Sequence, residues 1–112
     1  MSTDLCCIEE KRGTEVILRI VDKESKEVSV NLRVAFAHFL NKEELKILID
    51  GHLCKGRQFL TLYSYLLSIW LIMDSYRRDR VTLLCSQEQM NGLKSFGFGV
   101  EALINCQLKE EE

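Results

Sequence analysis

His52, Leu53 and Cys54 place a base and a thiol two positions apart, directly after an apolar run that ends at Asp50. Those residue types could serve a cysteine nucleophile, which needs a base within hydrogen-bond reach of the sulfur and a third group to orient that base. Two residues apart in an extended loop, His52 and Cys54 are expected not to pair simply, and Cys54 reads as a packing residue. His38 falls on a helical stretch among Phe36, Phe39 and Leu40 and reads as a helix-face residue. A structural zinc would draw on four Cys, His or carboxylate ligands in paired spacings. Cys6 and Cys7 are adjacent, so a strand turns one inward and the other outward. Cys85 and Cys106 end predicted strands and behave as small core hydrophobes. No metal is expected. Phe96-Gly97-Phe98-Gly99 lacks the Lys and Ser/Thr of a phosphate cradle, and no Lys follows its glycines until Lys109. It reads as a helix end, and neither a cofactor nor a catalytic residue is assigned.

A second pattern concerns binding. At 100° per residue, the helix expected from near Thr61 to near Tyr76 turns Leu62, Leu66, Leu67, Ile69, Trp70 and Met73 toward one side. Thr61, Ser64, Tyr65, Ser68 and Ser75 gather on the other, with Leu71 and Ile72 among them. A solvated helix face normally carries Lys and Glu. A face of hydroxyls, one Tyr and aliphatics suits contact with another protein, or else is sandwiched inside its own domain. The loop before it, residues 52–58, adds His52, Lys55 and Arg57; Lys55 and Arg57 are cations with no acidic neighbour in sequence and could steer an acidic partner. The candidate partner-binding residues are therefore His52, Lys55, Arg57, Thr61, Ser64, Tyr65 and Ser68.

The elements that must position these residues follow from composition and periodicity. A chain of 112 residues, 46% hydrophobic and 29% charged, is a single domain able to bury a core without staples, and disorder is excluded. A formal net charge of −2 argues against nucleic acid as a partner. Five cysteines without a paired C-x-x-C fit reduced thiols in a cytoplasm, and the first residues lack the pattern of a secretory signal. The apolar run 59–73 falls short of the roughly 20 residues of a spanning helix, so no transmembrane segment is expected. Residues 5–10 and 16–21 form a β-hairpin around a Gly13 turn. Residues 28–31 fit a strand or the start of a helix, and a helix runs from about Leu32 to Asn41. LKILI and VTLLC are buried strands. Ser86 caps a helix with Glu88 in its first turn that runs to about Ser95. Val100 to Cys106 is a last apolar strand, and residues 109–112 fray as an acidic tail. The order β-β-α-β-α-β-α-β predicts a small α/β domain: a mixed sheet of four or five strands with its helices mostly on one side. Its core includes Ile47, Ile49, Leu62, Leu66, Trp70, Leu83 and Leu84.

This order, with several anchor residues, resembles the STAS domain, the fold of bacterial anti-sigma factor antagonists. The hairpin DLCCIEEKRGTEVILRIVD, the strand LKILID ending at Asp50, the leucine-rich helix TLYSYLLSIWLIM and the closing RVTLLCSQEQMNGLKSFGF follow one another as that family's elements do, over nearly all of residues 4–106. The resemblance implies a cytoplasmic, non-enzymatic regulatory module whose partner is an anti-sigma kinase, a transporter subunit or a second copy in a homodimer. Regulated members carry Asp-Ser-x-Gly at the start of the long helix, where the hydroxyl is phosphorylated. Here Gln58-Phe59-Leu60-Thr61 stands there with Tyr63 in place of the glycine, so Thr61 is the one candidate phosphorylation site and the preceding acid is missing. Thr61 reads equally as a helix N-cap. These departures count against a kinase-controlled switch and leave the docking role intact. The alternative class is a small thiol enzyme or redox protein using Cys54 or the Cys6–Cys7 pair.

Overall fold

The structure, a computed structural model, describes residues 5–22, 28–42, 44–95 and 104–109. The half-apolar run 5–10 and the β-branched apolar run 16–21 form the expected hairpin: β1 (Cys6–Arg12) and β2 (Glu15–Val21) pair antiparallel from Cys6↔Val21 to Arg12↔Glu15. Gly13 closes the turn at φ 59°, a left-handed conformation that a residue with a side chain rarely adopts. The ambiguous stretch before the first helix resolves as a two-residue strand, β3 (Val30–Asn31), on the outer edge of β1. Asn31 then caps α1 (Leu32–Leu40), its side chain accepting from the Val34 N–H at 3.2 Å.

β4 (Lys46–Asp50), β5 (Val81–Cys85) and β6 (Cys106–Leu108) extend the sheet in parallel from β2, giving six strands in the order β3-β1-β2-β4-β5-β6. The links β2 to β4, β4 to β5 and β5 to β6 all advance the same way. Crossovers of one hand therefore lay α1, α2 (Arg57–Trp70) and α4 (Gln87–Ser95) over one face. Burial agrees: Val16, Leu18, Ile47, Ile49, Val81, Leu83 and Cys85 are fully buried beneath Leu32, Phe36, Leu62 and Leu66. The opposite face carries Ile17, Leu48, Thr82 and Leu84, all half-buried. The fold class is the expected one, a mixed-sheet α/β domain.

Three details correct the sequence reading. The sheet has six strands, because β3 is too short to leave a periodic signal. Leu84 is not in the helix-covered core, since the strand period of two turns it away while Leu83 faces in. The long helix does not run from Thr61 to Tyr76: it starts at Arg57 and ends at Trp70, and a separate short helix, α3 (Ser75–Asp79), follows. Asp74 makes that break, its carboxylate accepting from the Arg77 N–H at 2.9 Å as the N-cap of α3. Leu62, Leu66, Trp70 and Met73 are buried as expected, and Phe59 and Tyr63 join them. No helix among the described residues is long and apolar enough to cross a membrane.

Candidate functional site

The C-terminal ends of the parallel strands hold the densest polar cluster. Asp50, the last residue of β4, is only 2% exposed. The His52 Nδ1 lies 2.5 Å from its Oδ1, the His52 N–H donates to the same oxygen at 3.2 Å, and the Lys109 ammonium bonds Oδ2. Burial pushes the Asp50 carboxyl up, and the hydrogen bonds from Lys109 and His52 together outweigh it, so its pKa lies below the ordinary carboxylate value. A carboxylate can only accept, so the His52 proton sits on Nδ1 facing Asp50. Lys109 is thus no frayed tail residue: its N–H donates to the Cys85 carbonyl at 3.0 Å and its side chain is fixed on a partner that sequence separation concealed. Residues 110–112 lie outside the described ones.

Gly51 follows Asp50 where a Cβ would stand 2.6 Å from the Leu62 Cδ2, so a larger residue there would push the Leu62 side chain aside. Gln89 holds the rest of that loop. Its side-chain oxygen accepts from the Ser86 N–H at 2.8 Å while Ser86 Oγ accepts from the Gln89 N–H at 3.1 Å, a reciprocal cap for α4. Its amide group donates to the carbonyls of Gly51 and Cys54, both at 2.7 Å, and of His52 at 3.3 Å. The Ser86 cap was expected; the second half, Ser-x-x-Gln, was readable in the sequence. The loop and α4 together enclose a depression of about 570 Å³, with Phe59, Leu60 and Leu93 below and His52, Lys55, Ser86 and Glu88 around it.

Cys54 is buried, and its thiol is pushed up to about 12, first by burial and then by the negative charges of Asp50 and Asp22. No hydrogen bond joins His52 to Cys54 among the described residues; Asp50 holds the imidazole through Nδ1. Cys6 and Cys7 part as strand geometry requires, Cys7 inward and fully buried, its thiol likewise raised to about 12 by burial. All five cysteines are free thiols. Cys85 and Cys106 are diagonal neighbours on β5 and β6, and their interaction lowers the Cys85 thiol and raises that of Cys106, while the Cys85 Sγ donates to the Gln107 carbonyl at 3.8 Å.

The expected partner surface divides in two about Leu60. His52 and Lys55 line the depression just described. Arg57, Thr61, Ser64, Tyr65 and Ser68 line a shallower one of about 480 Å³, which Leu60 also borders and to which α1 contributes Arg33. Ser64 and Ser68 are exposed and Thr61 and Tyr65 half-buried, so this face is not sandwiched inside the domain. Because α2 begins four residues earlier than expected, Thr61 lies in its second turn and is not an N-cap. Gly56 holds that position at φ 51° without a side chain to bond the helix. Ser75 belongs to α3, and His38 is exposed on α1. Phe96-Gly97-Phe98-Gly99 lies outside the described residues. Among the described residues no three His, Cys, Asp or Glu side chains gather to hold a metal ion. No known family, curated protein or solved structure matches the chain.

Proposed function

We propose that the chain is a non-enzymatic protein-interaction module of the STAS type, docking its partner through the outer face of α2 and the loop before it. The observation that carries this reading is the character of that face: Ser64 and Ser68 are exposed, Thr61 and Tyr65 half-buried, and no Lys or Glu occupies it. Immobilising hydroxyls and one Tyr on binding costs little side-chain entropy compared with Lys or Glu. The element order supports the resemblance. A hairpin opens the chain, β4 ends at Asp50, a short glycine-bearing loop follows, and a leucine-rich helix leads to the next strand and a short helix. On that reading the partner is a regulatory kinase, a transporter subunit or a second copy of the chain, in a bacterial cytoplasm. Thr61 borders the docking surface without being the helix cap, so its phosphorylation would act by placing charge beside the interface.

The thiol alternative draws less support. Cys54 stays protonated at neutral pH, and no hydrogen bond joins it to His52 among the described residues. The test measures melting temperature and partner capture from lysate of the native cells on the same variant. Ser64→Glu should leave melting unchanged and abolish capture by adding an unpaired, desolvated carboxylate. Unchanged capture would refute the docking surface, and saturable turnover lost in Cys54→Ala would restore the enzyme reading.

A further inference from the structure

Charge is segregated along this chain. It carries 17 acidic residues against 15 basic ones, yet there is no Asp or Glu anywhere in residues 28–41 or 51–73, the stretches that hold α1 and α2. Arg33 from α1 and Arg57 from the first turn of α2 border the same depression, although they are far apart in sequence. Elsewhere on the surface arginines find carboxylates: Arg12 meets Glu10 at 2.7 Å and Arg77 meets Asp74 at 3.1 Å. Neither Arg33 nor Arg57 forms an ion pair among the described residues.

Arg33 is held in another way. Its guanidinium lies 5.1 Å from the centre of the Tyr65 ring, and the ring is itself packed edge-on against Phe36 at 6.4 Å. Contact with an aromatic face positions the guanidinium without using its N–H donors. A planar fork of donors in that state matches a carboxylate in geometry as well as charge. Between the two arginines the lining is hydroxyl-bearing. Ser68 commits its hydroxyl to the Tyr65 carbonyl at 2.7 Å, which leaves Thr61 and Ser64 as the donors facing the gap.

Building on the docking reading above, we propose that the depression between α1 and α2 binds a carboxylate-rich segment of a partner protein, its acidic side chains held between Arg33 and Arg57. Lys55 lies outside this clamp, in the neighbouring depression that also contains Glu88. Arg33 was not among the residues singled out from sequence, since nothing in the sequence pattern places α1 beside the start of α2.

The test titrates the full isotope-labelled chain with a hexaglutamate peptide, and in parallel with hexaserine and phosphoserine-containing peptides. Hexaglutamate should shift the resonances of Arg33, Arg57, Ser64 and Tyr65, hexaserine should not, and binding should weaken steeply with added salt. Arg33→Gln and Arg57→Gln, singly and together, should weaken it by about tenfold or more, whereas Lys46→Gln, on an exposed strand end, should not. Melting temperatures show that each variant is folded, and the salt dependence of the unaltered chain stands whether or not they are. No binding, shifts centred elsewhere, insensitivity to both arginine changes, or tighter binding of the phosphoserine peptide would overturn the proposal. If a captured partner is lost in Ser64→Glu but retained in the double arginine variant, the carboxylate clamp is refuted and the docking reading survives.

Discussion

Asp50 is a carboxylate almost sealed from water, and it remains ionised because Lys109 and His52 supply the donors that water would have given. A group whose folded pKa lies below its unfolded value contributes stability above the unfolded pKa, near 3.9 for Asp, and loses it as pH falls through the folded value. The advantage is therefore fully present at neutral pH, begins to fall near the unfolded pKa of about 3.9 and is lost as pH drops through the lower folded value. Asp50→Asn removes the charge that Lys109 faces and should destabilise the protein at pH 7 by about 2 kcal/mol. Urea denaturation at pH 7 and pH 3 tests both statements: the gap between variant and parent should narrow at the lower pH. A gap that stays constant would mean the carboxyl is not depressed. The thiols carry a second expectation. Cys7 and Cys54, buried and raised to about 12, hold almost no thiolate at pH 8. A disulfide reagent should label them only slowly in the native protein and rapidly in denaturant, and fast native labelling of Cys54 would revive its role as a nucleophile.

The elements of this protein are tied by contacts that span long stretches of chain, and Arg80 is the clearest case. It lies just before β5, and its guanidinium donates to the carbonyls of Leu45 at 2.9 Å and of Leu40 and Phe39 at 3.3 Å, and also to that of Lys42. These include carbonyls left without partners at the end of α1, where a cation also meets the negative end of the helix dipole. Phe39 and Lys42 also accept backbone N–H groups, so Arg80→Met should take a partner chiefly from the Leu40 and Leu45 carbonyls and lower stability by about 2–3 kcal/mol, a loss that chemical denaturation would register. Gly56 sets the start of α2 at a positive φ with open space around it, so Gly56→Ala should cost about 1–3 kcal/mol through backbone strain alone. Both residues show where sequence stops being informative. The apolar, β-branched runs EVILRIV, LKILI and VTLLC make the strands legible, because composition is local, but a continuous apolar run does not mark its buried side, which is why Leu84 reads from sequence as a core residue. The start of α2 is not legible, because its cap is a glycine with no capping side chain and Thr61 offers a false signal inside the helix. Of the docking surface, Thr61, Ser64, Tyr65 and Ser68 are readable from helical period and Arg57 from the charge of the preceding loop, and the structure brings them to one depression. Arg33 and the Lys109–Asp50 contact depend on tertiary placement, which no periodicity encodes.

At the scale of the whole molecule, a single helix layer covers a single sheet face, and one hydrophobic core runs from Leu5 through Phe36 and Leu66 to Ile104. Such a core has no internal boundary along which part of the domain could open independently. Trp70 is the chain's one tryptophan, buried at the end of α2, and its carbonyl accepts from the Arg78 Nε at 2.8 Å. Its emission therefore reports on the end of the helix layer, while far-ultraviolet circular dichroism reports on the sheet and helices together. For a small domain with one core the two unfolding curves should superimpose. Leu66→Ala removes a side chain that is 1% exposed at the centre of that layer and should cost about 2–5 kcal/mol. It should shift both curves equally, by roughly 4–8 °C for each kcal/mol lost. If Trp70 emission changed at a lower temperature than the circular dichroism, α2 would open ahead of the sheet. The docking face would then belong to a mobile element, not to a rigid scaffold that presents Arg57, Ser64 and Tyr65 already in place.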